Sequence, residues 1–158
     1  MFGSISEELD VKASIIQAWE VYSTLKIAMI IKSAFAQFST IDILEGDGGV
    51  GTIVKITPHP GVPMGTAFKE KFTKIDHEKR VKEIKIIEGG YLDVGFTSYQ
   101  MKLEFMENEN EDSSCILRVT VEYEANEDVV ANADANFVIK PLIDTLEVAN
   151  KYIQNNKT

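Results

Sequence analysis

Glu70 and Lys82 are charged residues on strand faces that otherwise read as apolar. In the run Thr66 to Ile75 the even positions are Phe68, Glu70 and Phe72, and in Val81 to Ile87 they are Lys82, Ile84 and Ile86. Side chains alternate across a strand with period two, so the acid and the amine point the same way as their apolar neighbours, toward the interior. The short polar stretch Asp76-His77-Glu78-Lys79 joins the two runs as a hairpin, which predicts that Glu70 lies roughly opposite or diagonal to Lys82 and that the two share one cavity. An apolar wall lowers a lysine pKa and raises a carboxylate pKa, moving both toward the range useful for proton transfer. Mutual attraction opposes this by holding both ionised. The residues alone therefore also admit a buried ion pair, or a lysine snorkelling to the cavity mouth, with no chemistry.

Other candidate motifs are weaker. The segment Glu45-Gly46-Asp47-Gly48-Gly49-Val50-Gly51 lacks the Gly-Lys-Ser/Thr ending of a phosphate-binding loop and joins two strands, so its glycines serve a tight turn. His59 and His77 have no matching Cys or carboxylate set and read as exposed loop residues; neither a metal nor another cofactor is expected. No serine-nucleophile elbow is present. Cys115, the single cysteine, cannot form an internal disulfide and reads as an inert core residue, consistent with a reducing compartment.

The elements that must position Glu70 and Lys82 follow from periodicity. Strands are expected over Ile5 to Val11, Phe38 to Leu44, Thr52 to Thr57, the two runs above, Leu92 to Phe105, and Cys115 to Glu124, seven in all. Short helices are expected from Ser14, as N-cap, to Tyr22 and from Lys26 to Ser33. Pro58, Pro60 and Pro63 mark a loop ending near Met64. One long amphipathic helix is expected from Asp128 to Ile153, with Val130, Phe137, Val138, Leu142, Thr145, Ala149 and Tyr152 near one side and a kink at Pro141. Antiparallel strands followed by one long helix predict an α+β fold in which a strongly curved sheet wraps that helix and leaves a hollow between them.

The chain is 158 residues long, 44% hydrophobic and 26% charged, which predicts one globular domain over residues 1–158 that buries roughly two thirds of its unfolded surface. A net charge of -9 argues against nucleic acid and anionic membranes as partners, since both reward clustered Lys and Arg. A neutral or cationic small molecule fits better. The start, Met1-Phe2-Gly3-Ser4, lacks the basic segment and apolar run of a secretory signal, and no apolar stretch approaches ~18 residues, so a cytoplasmic location is the default expectation.

The glycine-rich segment Glu45 to Gly51, the stretch from Lys69 to Glu83, the run Ile87-Glu88-Gly89-Gly90-Tyr91-Leu92-Asp93-Val94-Gly95 and Lys140-Pro141-Leu142-Ile143-Asp144-Thr145 resemble the plant pathogenesis-related class ten, or Bet v 1-like, family. Within it they are similar to the branch containing norcoclaurine synthase and norbelladine synthase. The resemblance spans nearly the whole chain. It implies a seven-stranded antiparallel sheet, two short helices, a long C-terminal helix and an internal cavity for aromatic or polycyclic ligands. It also implies a catalytic lysine and glutamate, matched by Lys82 and Glu70, while the branch's tyrosine and aspartate positions hold Phe68 and Met101.

Phe35, Met64, Phe68, Tyr99, Met101, Phe137, Pro141 and Leu142 are the expected cavity lining, although aromatic and Met residues at these periodicities are also ordinary core. Two functions remain open. One is an enzyme of plant specialised metabolism that condenses an aromatic amine with an aldehyde, with Lys82 and Glu70 as acid and base. The other is a non-catalytic, defence-related carrier or sensor of a hormone such as a cytokinin or abscisic acid, or of a flavonoid. In either case the partner is an aromatic small molecule and the protein is expected to be a monomer or a weak dimer.

Overall fold

A computed structural model describes residues 1–61, 65–132 and 134–156 of the chain. Seven strands form one antiparallel sheet: β1 (Phe2–Val11), β2 (Ser39–Glu45), β3 (Ile53–Pro58), β4 (Phe68–Asp76), β5 (Val81–Gly89), β6 (Phe96–Glu107) and β7 (Cys115–Ala125). Their order across the sheet is β1-β7-β6-β5-β4-β3-β2, so every neighbour but β1 is joined through a hairpin, and the first strand closes on the last. Two helices, α1 (Ile15–Tyr22) and α2 (Lys26–Ala34), bridge β1 to β2. The seven expected strands are present within a few residues of their predicted ends, except that the Leu92 to Phe105 run is divided. Its first part is a 3-10 turn, Gly90–Asp93, and the strand starts at Phe96.

Local chemistry explains the boundaries. Ser14 caps α1, its hydroxyl accepting from the Gln17 amide at 3.2 Å while the Gln17 side chain accepts from the Ser14 amide. The glycine-rich turn joins β2 to β3; Gly48 has φ +106, and its amide donates to Thr52 Oγ1 at 2.9 Å. Gly89 ends β5 at φ +72, where a Cβ would stand 2.0 Å from the Ala67 carbonyl oxygen, so only glycine fits.

The C-terminal region departs from the expected single helix. Among the described residues it is three helices: α3 (Glu127–Asn132), α4 (Ala135–Val138) and α5 (Lys140–Asn155). Asp134 caps α4 by accepting from the Phe137 amide at 3.1 Å, which starts a new helix inside the predicted one. Pro141 lies in the first turn of α5 and kinks nothing, because the amide it lacks has no intrahelical partner there. α5 carries a long apolar stripe, burying Ile143, Leu146, Ala149 and Ile153 against the sheet. Tyr152, expected inward, is 46% exposed.

The core lies between the inner sheet face and the helices. The inward residues of β7, namely Cys115, Leu117, Val119 and Val121, are fully buried, which fits their alternation with Ile116, Arg118, Thr120 and Glu122. A smaller cluster, Ile41, Val54 and Phe72, fills the β2 to β4 end.

Candidate active site

Lys82 is completely covered, with no exposed surface, so no water-sized space touches it. Its ammonium donates to the backbone carbonyl of Tyr22, the last residue of α1, at 2.8 Å, and sits 3.8 Å from the centroid of the Phe72 ring. The carbonyls at the end of a helix have no intrahelical donors and carry the negative end of its dipole, so a cation is well placed there. The ring face adds a cation–π contact. These contacts accommodate a charge that burial penalises: desolvation pushes the Lys82 pKa down to about 8, with the nearby Glu70 carboxylate opposing.

Glu70 is half-buried on β4, and desolvation raises its pKa to about 7 against the pull of Lys82. The pair therefore shares the inner face, as expected, but not the expected register. Glu70 stands opposite Ile86, and Lys82 opposite Ile75. Along β5 these positions are four residues apart, about 13 Å at ~3.3 Å per residue, with the Phe72 and Ile84 pair between them. Among the described residues Glu70 and Lys82 form no ion pair. The turn sets this separation: unbroken pairing from Asp76 and Val81 would put Glu70 opposite Ile87, and a shift of register between Phe72 and Lys74 moves it to Ile86, on the face of Lys82. The shift inserts Thr73 as an extra residue, reverses the alternation beyond it and turns Ile75 inward beside Lys82.

The remaining predicted positions divide into two groups. Met101, opposite Ile84 on the neighbouring strand, and Tyr99 are buried beside the two charges, while Phe68 and Leu142 pack half-buried against the same core. Tyr99 stacks on Tyr91 with ring centroids 4.2 Å apart, and its hydroxyl donates to the Val138 carbonyl at 2.6 Å; Tyr91 donates to the Phe137 carbonyl at 2.7 Å. Two phenols thus hold the end of α4 over the sheet. Phe137 is 47% exposed on the outside of this aromatic cluster, Pro141 is exposed, and Phe35 lies at the C-cap of α2, outside the main core. Met64 falls outside the described residues.

The described recesses are peripheral. One of about 360 Å³ lies between β1 and α5, and one of about 580 Å³ lies between α2 and the end of α5; neither is lined by Glu70, Lys82, Tyr99 or Met101. Among the described residues no cluster of three or more His, Cys, Asp or Glu side chains could hold a metal ion. His77 is exposed, as expected, but also accepts from the Trp19 indole at 3.1 Å and so fastens the β4–β5 turn to α1. His59 is half-buried, its Nε2 lying 2.9 Å from the Ala36 carbonyl oxygen.

Two participants escaped the reading of the sequence. Tyr22 contributes a backbone oxygen, for which no side-chain pattern exists. Asn150 accepts from the Tyr22 hydroxyl at 2.6 Å, and its signal was available: it is the polar member of the stripe Ile143, Leu146, Ile153.

The chain aligns over 134 residues with norbelladine synthase from Narcissus pseudonarcissus at 46% identity, covering 84% of this chain and 81% of that protein. S-norcoclaurine synthase 2 from Papaver somniferum is 35% identical over 151 residues, covering 94% of this chain; the chain spans 64% of that protein's length. The X-ray structure of norcoclaurine synthase from Thalictrum flavum, in complex with dopamine and hydroxybenzaldehyde, superposes with a TM-score of 0.85 at 33% identity over 100% of this chain and 90% of that one. Residues 1–149 match the family model in one continuous stretch, and so the chain belongs to the pathogenesis-related protein Bet v 1 family.

Proposed function

We propose that the protein condenses an aromatic amine with an aldehyde in an alkaloid pathway, with Lys82 as general acid and Glu70 as general base. Support comes from its likeness to the norbelladine and norcoclaurine synthases. The observation that carries the reading is Lys82 itself: a wholly buried amine with a depressed pKa and no carboxylate bound to it. A structural ion pair would hold the lysine ionised, whereas an amine that releases its proton near neutral pH is suited to transferring one.

In the proposed reaction the neutral amine nitrogen attacks the aldehyde carbon and a carbinolamine forms. Glu70 takes the proton that the nitrogen loses and returns it to the alkoxide oxygen, which becomes the carbinolamine hydroxyl, so that Glu70 is again a carboxylate. Lys82 donates a proton to the carbinolamine hydroxyl, which leaves as water, and the carbon–nitrogen double bond forms. Ring attack on that imine, with Glu70 removing the ring proton, would give a cyclised product. Phe68 and Met101 supply apolar walls that exclude water. Because Lys82 is covered, substrate enters only when the helices part from the sheet, and the end of α4, held by Tyr91 and Tyr99, is the segment expected to move.

Incubation with tyramine or dopamine and an aromatic aldehyde, with product followed by mass and chirality, tests the reading. We expect accelerated product formation and, in a folded Lys82→Ala variant, a loss of about 10²–10⁴-fold in rate. A folded, active Lys82→Ala protein removes Lys82 from the mechanism. Tight binding of a hormone or flavonoid without turnover by the unmodified protein would assign it to the carriers.

A further inference from the structure

We propose that Tyr22 and Asn150 are positioning residues for Lys82: the Tyr22 carbonyl holds the lysine nitrogen, and Asn150 of α5 fixes Tyr22 by its hydroxyl. The inference rests on the reading of Lys82 as the proton donor.

Three observations carry it. Tyr22 is fully buried, with its ring packed 4.9 Å from Phe105, and it is bonded at both ends: its carbonyl accepts from Lys82 at 2.8 Å and its hydroxyl donates to Asn150 Oδ1 at 2.6 Å. Asn150 is 7% exposed on the apolar stripe of α5, and its Nδ2 is buried without a hydrogen-bond partner among the described residues. An orphaned buried amide costs stability, and leucine would fill the same stripe without it, so the retained amide points to a need for its oxygen. Finally, the two hydrogen bonds join three elements: β5 through Lys82, α1 through Tyr22 and α5 through Asn150. A displacement of α5 therefore reaches the lysine through two hydrogen bonds.

Among the described residues, the groups acting on this assembly are Glu70 of β4 on Lys82, Cys115 of β7 on Tyr22, and Arg80 on Cys115. Asp10, Lys12, Glu147 and Lys151 line the recess beside Asn150. Burial pushes the Tyr22 phenol far above its ordinary range, so it remains a donor to Asn150 across the working pH range.

The test uses the full chain and two variants, Tyr22→Phe and the double variant Tyr22→Phe/Asn150→Leu. The double variant replaces both partners with apolar groups of similar shape, a change that is close to neutral for folding. Lys82 is followed by NMR of isotope-labelled lysine without substrate, and condensation is followed separately. With the carbonyl no longer held against the ammonium, the charged form loses its acceptor. We expect the Lys82 midpoint to move to lower pH by about half a unit or more. We expect kcat to fall on the order of tenfold with KM little changed. An unchanged or raised midpoint in the folded double variant overturns the proposal, as does a fall in kcat with the midpoint unmoved, which marks a purely structural role. If the unmodified protein shows no condensation, the function proposed above fails, while the NMR titration still decides the positioning role.

Discussion

In the proposed reaction the two titrating groups of the inner face work only within a narrow range of pH. Glu70 must be deprotonated to accept a proton and Lys82 protonated to donate one; their pKa values are moved to about 7 and about 8. The fraction of molecules with both in the working state is largest between these values. We expect kcat/KM for an amine and aldehyde pair to be bell-shaped, with limbs near 7 and 8 belonging to the coupled pair, and Glu70→Gln to remove the acid limb together with most of the rate. A limb that stays near 7 in the Glu70→Gln variant would mean another group is the base. That both residues face inward was legible, since each breaks an otherwise apolar alternation. Their separation was not: it is set by the pairing of Asp76 with Val81, which puts Lys82 opposite Ile75, while the extra Thr73, which looks like any other strand residue, returns Glu70 to the face of Lys82. The acceptor for Lys82 was invisible for a different reason: it is a main-chain oxygen.

At the scale of elements, the strands were read closely because hairpins keep partners adjacent and one buried face enforces period two. The C-terminal helix was misread because its apolar spacing continues across Asp134 and Pro141, while the backbone is set by capping. Asp134 starts one helix and Pro141 lies in the first turn of another, so a single periodic pattern spans two breaks. This distinction is measurable. A proline inside a helix costs ~3 kcal/mol or more, so its replacement by alanine would stabilise by about that amount, whereas at the first turn the same change is expected to alter stability by less than ~1 kcal/mol. Urea unfolding of Pro141→Ala should show the smaller change. A gain of several kcal/mol would mean that α4 and α5 behave as one kinked helix. The break matters to the proposed entry of substrate because the α4–α5 junction is where the Tyr91 and Tyr99 hydroxyls hold the helices against the sheet.

For the whole molecule, burying two ionisable groups makes folding stability depend on pH in opposite senses. Glu70 binds its proton more tightly in the folded state, with a pKa of about 7 against an ordinary 4.5, so its contribution is fully present below 4.5 and is lost as pH rises through 7. Lys82 binds its proton less tightly when folded, at about 8 against 10.5, so it destabilises below 8 and that penalty is relieved as pH rises toward 10.5. Cys115, pushed up to about 11, acts against Lys82 above pH 9, as do the buried tyrosines, so each contribution has to be isolated by difference. We expect the stability of the unmodified protein minus that of Glu70→Gln to fall between pH 4.5 and 7. The difference from Lys82→Met, which keeps the apolar stem and removes the charge, should rise between pH 8 and 10.5. Denaturant unfolding at matched pH values measures both. Lys82→Met should also be at least as stable as the unmodified protein at pH 7, since an apolar side chain there avoids the desolvation of an amine. A flat difference for Lys82→Met across pH 8 to 10.5 would show that the lysine titrates at its ordinary value in the folded protein, and the general acid would then have to be sought elsewhere on the inner face.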